Sequence, residues 1–146
     1  MKHNNLIALL PAILAANVMA QDCDMAIAPV RFGSYDILSP TPLRTTTFIN
    51  VSCDVPGIPY NISLDAGLFA NGFNRTLKSD KDTLRYNLYQ DAAGTRIWGD
   101  GTSGSTAMSG VSGQMINRHT VYGIIPAEQK AIPGLFNDQI VITIEW

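Results

Sequence analysis

Ile140-Val141-Ile142-Thr143-Ile144-Glu145-Trp146 is the stretch whose reading decides the fold. Ile140, Ile142, Ile144 and Trp146 recur at every second residue, with Val141, Thr143 and Glu145 between them. A period of two sends successive side chains to opposite faces of an extended backbone, so the segment reads as a strand with one apolar row. It is rich in β-branched residues and belongs deep in a sheet with both edges paired. It is also the last segment of the sequence, so the expectation is that another molecule must cover its second edge.

The same period recurs upstream. Thr47, Ile49, Val51 and Cys53 alternate with Phe48, Asn50 and Ser52; Tyr60, Ile62 and Leu64 alternate with Asn61, Ser63 and Asp65. Leu84, Tyr86 and Leu88 alternate with Arg85, Asn87 and Tyr89. Each is read as a half-buried strand. Between them lie turn-rich stretches such as Ser39-Pro40-Thr41-Pro42, Pro56-Gly57-Ile58-Pro59, Asn71-Gly72 and Gly99 to Ser105. Short strands punctuated in this way describe an all-β, immunoglobulin-like antiparallel sandwich. Pro126-Ala127-Glu128-Gln129 is read as a single helical turn.

Composition narrows the function classes. The 146 residues carry 10 basic and 12 acidic side chains, with 46% hydrophobic and 15% charged residues. That is a chain with a core, and it offers neither a basic surface for nucleic acid nor a polybasic membrane patch. Residues 1–20 join Lys2 to a short apolar run and end in Val18-Met19-Ala20. This is the pattern of an export signal cleaved after Ala20, which leaves 21–146 as one mature domain. No later apolar run is long enough for a spanning helix, so no direct membrane insertion is expected. Cys23 and Cys53, with 29 residues between them, are an even pair in a chain bound for an oxidising compartment and are expected to form a disulfide.

Chemistry-bearing motifs are scarce. His119 stands alone in the mature chain, and no Gly-x-Ser-x-Gly accompanies it, so no catalytic role is assigned. Asp80-Lys81-Asp82 and Asp100-Gly101 lack the rest of a calcium loop. Neither cofactor nor metal is expected. Tyr86, Tyr89 and Trp98 flank a turn and read first as core, second as a platform for sugar rings. A secreted carbohydrate-binding module is therefore the alternative function.

Several stretches resemble the spore coat protein U domain family: Phe32-Gly33-Ser34-Tyr35-Asp36, Val51-Ser52-Cys53, Leu84-Arg85-Tyr86-Asn87-Leu88-Tyr89-Gln90-Asp91, Ile97-Trp98-Gly99-Asp100-Gly101, Val121-Tyr122-Gly123-Ile124-Ile125-Pro126 and Phe136 through Ile144. The resemblance implies a secreted structural subunit of a chaperone-usher surface pilus, a fibre of attachment and biofilm, with a sandwich lacking its last strand. It implies a groove filled first by a periplasmic chaperone and then by the N-terminal segment of a neighbouring subunit, with an outer-membrane usher as the further partner. Ile140, Ile142, Ile144, Trp146, Ile49 and Val51 are the expected groove residues. Cys23 and Cys53 would tie the first strand to the second. Stackable subunits of this family carry a donor stretch before the first cysteine, whereas here only Gln21 and Asp22 would remain after cleavage. That departure suggests a fibre-tip position. Leu68, Phe69 and Phe73, on a loop expected opposite the groove, would then form an adhesive patch.

Overall fold

The strands assemble because their alternating rows find one another. The computed structural model describes residues 21–146, and the export signal expected over 1–20 lies outside them. In chain order the strands are β1 (Cys23–Ile27), β2 (Leu43–Cys53), β3 (Pro59–Leu64), β4 (Arg75–Lys78), β5 (Thr83–Tyr89), β6 (Met108–Val111), β7 (Asn117–Ile125) and β8 (Ile142–Glu145). Five form one sheet in the order β1-β2-β7-β5-β4, and three form the other in the order β6-β3-β8. Every ladder is antiparallel. This is the immunoglobulin-like sandwich expected from the alternation.

Register puts the apolar rows inward. On β2, Thr47, Ile49 and Val51 are buried and stand opposite Val121, His119 and Asn117 of β7. Ile49 and Val51 share one core with Tyr60, Ile62 and Leu64 of β3 and with Leu84, Tyr86 and Leu88 of β5. Trp98 joins the two layers. It is fully buried; its backbone N–H donates to Leu88 O of β5 at 2.9 Å, and its indole N–H donates to Ile62 O of β3 at 2.9 Å. Ser112 secures one end of the sandwich: its hydroxyl donates to Val55 O and accepts from the Ile58 N–H, each at 2.8 Å.

After β1 the chain crosses the inner face of the larger sheet as a strap. Thr45 and Thr47 point inward yet are not orphaned, because their hydroxyls donate to Arg31 O at 2.8 Å and Ala28 O at 3.0 Å. Phe32 lies over Gly123 of β7, where a Cβ would stand 2.8 Å from the ring. Its ring meets Tyr86 edge-on at 5.8 Å. Only a glycine allows this approach.

Two local expectations differ from the fold. Residues 126–129 form bends and not a helical turn: Glu128 takes a φ of 58°, and Tyr35 Oη donates to Pro126 O while accepting the Gln129 N–H. The strap thus supplies the partners that a helical turn would have supplied internally. The closing strand is shorter than its row of alternating residues, Ile140 to Trp146. Its ladder to β3 runs over Ile142–Glu145, and Val141 instead pairs with Asp65, whose carboxylate accepts the Val141 N–H at 3.0 Å.

The disulfide joins Cys23 to Cys53, directly opposed at the ends of β1 and β2. Replacing both cysteines by serine is expected to lower the unfolding free energy by about 3 to 4 kcal/mol, through loss of a restraint at sequence separation 30. A shift of the denaturant midpoint measures it.

Candidate functional site

A three-stranded sheet cannot cover the inner face of a five-stranded one. With strands ~4.8 Å apart, the mismatch is about two strand widths, ~10 Å. The uncovered strip is a cleft of about 1090 Å³. Ile49, Leu77, Leu84, Leu88, Val121 and Ile125 form its floor; the strap, residues 27–37, is one wall, and residues 131–140 with Ile142 are the other. Protein interiors are close-packed, with few voids larger than a water molecule, so an apolar opening of this size calls for an occupant. Its rim is apolar too: Leu135 is 91% exposed, with Ile37 and Ile132 also exposed. Along the second wall, β8 pairs with β3 on one side, and no strand pairs with its other side among the described residues. The combination of a free strand edge and an apolar floor can take an extended chain, the edge through backbone hydrogen bonds and the floor through alternate side chains.

The residues expected to form a groove do not all lie here. Ile140, Ile142 and Ile49 line the cleft. Ile144 is half-buried against the core beyond it, and Val51 is fully enclosed there. Trp146 leaves the row: it is 52% exposed, lies beside Asn61 and Ser109 in a shallow outer depression, and donates its indole N–H to Gln21 O at 3.0 Å. The ladder has ended at Glu145, so the period of two no longer fixes its face.

The adhesive trio also separates. Leu68 is 65% exposed and Phe69 is exposed beneath the Lys78 ammonium, whereas Phe73 is 6% exposed and packs under the Arg75 guanidinium at 5.1 Å. The Phe73 ring folds into the core, and its carbonyl accepts from Asn87 Nδ2 at 2.7 Å. Nor does the loop stand opposite the cleft. Leu68 N–H donates at 2.9 Å to Oδ1 of Asp138, a cleft-lining residue. The loop therefore flanks the cleft.

That corner contains polar chemistry which the sequence pattern did not single out. Arg75 is wholly buried; it donates to Asp65 O through Nε (3.2 Å) and Nη2 (2.6 Å), to Trp98 O through Nη2 (2.8 Å) and to Asn87 Oδ1 through Nη1 (2.8 Å). Burial pushes its pKa down, while Tyr86, Asp65, Asp138 and Asp100 oppose the shift. Tyr86 Oη donates to Asp138 Oδ2 at 2.8 Å, and its pKa is driven up by burial first and by Asp138 second. The only advance signal was a lone arginine in an otherwise uncharged Phe73-to-Leu77 run.

Other candidates carry structural duties. His119 Nε2 shares a 2.7 Å hydrogen bond with Tyr60 Oη, and burial lowers its pKa. Trp98 is fully buried, Tyr86 is buried with an edge at the cleft, and Tyr89 is half-buried at the end of β5, so the three do not make one exposed stacking platform. Asp82 accepts the N–H groups of Thr83 and Ile132, and Asp100 accepts from Thr102. Among the described residues no three metal-ligating side chains come together.

The model of the Spore Coat Protein U domain matches residues 10–143. The fold is similar to a chain in the crystal structure of the CsuC-CsuE chaperone-tip adhesion subunit pre-assembly complex from the archaic chaperone-usher Csu pili of Acinetobacter baumannii. The TM-score is 0.63 at 23% identity over 86% of this chain, which spans 40% of that one. No curated relative matches.

Because Arg75 holds the corner where cleft and loop meet, Arg75→Met tests its weight. The substitution keeps most of the volume but strands the Asp65 and Trp98 carbonyls, while the Asn87 amide oxygen keeps its bond from the Leu88 N–H at 3.0 Å. Each buried acceptor left unsatisfied costs about 1 to 3 kcal/mol, so a thermal or denaturant melt should show a loss of about 2 kcal/mol or more.

Proposed function

This chain belongs to the Spore Coat Protein U domain family, and from that membership and its open cleft we propose that it is an exported structural subunit of a chaperone-usher surface pilus, completed by an inserted strand. The observation that carries the reading is the apolar cleft of about 1090 Å³ beside the free edge of β8. A periplasmic chaperone would supply the first strand, and a neighbouring subunit would replace it after delivery to an outer-membrane usher. Ile140, Ile142 and Ile49 would receive the donor's alternate side chains. Each large apolar side chain fully buried contributes about 1.5 to 3 kcal/mol, which offsets the ordering of the incoming segment. The role is structural, with no reaction assigned.

Fusing a donor segment of alternating large apolar residues behind Trp146, through a flexible turn, tests this. The mature chain alone should aggregate or melt broadly; the fused chain should be a monomer with a single cooperative melt at higher temperature. A mature chain that is already a cooperative monomer and gains nothing from the fusion would sink the proposal.

A place at the fibre tip is the finer reading. Its support is the shortness of the segment before Cys23: cleavage after Ala20 would leave Gln21 and Asp22, and the Asp22 carbonyl accepts the Asp54 N–H at 2.9 Å, which ties it to the domain. Leu68 and Phe69 remain as the apolar residues of that loop able to meet a target surface. Mass spectrometry of the exported protein is expected to find Gln21 at the N-terminus. A start several residues upstream would restore a donor segment and remove the case for the tip.

A further inference from the structure

Segment 137–141, the wall that leads into β8, has little ladder of its own. Asn137 pairs with Lys78 by two backbone hydrogen bonds of 2.9 and 3.0 Å, and beyond it the segment is held by two carboxylates and by the Asp65 N–H, which donates to Val141 O at 3.0 Å. Asp138 accepts the Leu68 N–H and the Gln139 N–H on Oδ1, at 2.9 and 2.8 Å, and the Tyr86 hydroxyl on Oδ2 at 2.8 Å. Asp65 accepts the Val141 N–H and the Gly67 N–H on Oδ1, both at 3.0 Å. Gly67 has a φ of +87°, and its missing side chain is what admits Asp138, since a Cβ there would overlap the carboxylate. The cleft floor at Tyr86, the cleft wall at Asp138 and the exposed loop at Leu68 and Phe69 are thus joined through one carboxylate.

We infer that this clamp couples occupancy of the cleft to the order of the loop carrying Leu68 and Phe69, so that strand insertion fixes the loop in place. The inference rests on the strand-accepting reading above. An inserted strand pairs with the β8 edge and immobilises segment 137–141; Asp138 then holds the Leu68 amide against a fixed wall. With the cleft empty, the wall moves and the loop moves with it. The apolar pair on that loop would therefore be presented in a single arrangement only after the subunit has been completed.

Amide hydrogen exchange by mass spectrometry on the full mature chain, fused to a graded series of donors, tests the coupling. The series runs from a donor with all its alternate apolar residues to donors with one, two or three of them replaced by serine. Protection of residues 140–145 reports insertion, and protection of residues 65–70 reports the loop. Both should rise together, the loop by about tenfold in exchange rate between the weakest and strongest donor. In Asp138→Ala, and in Tyr86→Phe, which keeps the ring and breaks only the floor-to-wall link, residues 140–145 should still respond while the loop response shrinks. A loop indifferent to insertion while 140–145 become protected overturns the coupling alone. A loop response unchanged in Tyr86→Phe and in Asp138→Ala overturns the assignment to the clamp. Failure of 140–145 to respond to any donor overturns the strand-accepting reading and the coupling with it.

Discussion

Five strands facing three is the constraint from which the rest of this structure follows. Antiparallel sheets in a sandwich share an interior about 10 Å thick, and side chains from both inner faces must fill it. Where the smaller sheet stops, the larger still presents Leu77, Leu84, Leu88 and Val121. The chain covers part of that surplus with irregular backbone, the strap on one side and segment 131–140 on the other, and leaves the middle open. Irregular backbone over an apolar floor must find hydrogen-bond partners that a strand would have provided automatically. That requirement explains the inward threonines of β2, the Tyr35 contacts to Pro126 and Gln129, and the two aspartates along the approach to β8.

Elsewhere the sandwich is locked. Trp98 ties β5 to β3 by two hydrogen bonds from one buried residue, and Arg75 fills the adjoining space with a cation solvated by carbonyl dipoles. A buried guanidinium is tolerated because its planar fork meets acceptors at nearly every position, with the Phe73 ring lying against its face. Polar satisfaction here is set by geometry and not by charge pairing. The closed Trp98 corner, hydrogen-bonded across both layers, and the open cleft are therefore the two contrasting sides of one sandwich.

Much of this was legible in the sequence, because the strongest signals came from strands with one buried face. β2, β3 and β5 declared themselves through strict alternation, and the cysteine pair through its number and its address. The short strands β4 and β6 did not, since four residues such as Arg75-Thr76-Leu77-Lys78 or Met108-Ser109-Gly110-Val111 carry too few turns of the pattern. The resemblance supplied the missing strand; alternation alone gave only the exposed edge of the last segment. What the period of two could not supply was where an alternation stops being enforced. Trp146 continues the spacing of Ile140, Ile142 and Ile144 but lies past the last ladder pair, so nothing holds it to their face. Phe73 was misplaced for a related reason: its neighbourhood reads as a turn, but a turn beside a buried arginine can send its aromatic ring inward.

Gly123 of β7 lies beneath the strap and contributes an empty volume. Phe32 rests directly on its backbone, and through Phe32 the strap takes its height above the larger sheet. A single methyl group at this position would act as a shim, lifting the strap and altering the aperture offered to an incoming backbone although every rim residue stayed the same. The gauge of the opening is thus set from beneath, by one hydrogen atom.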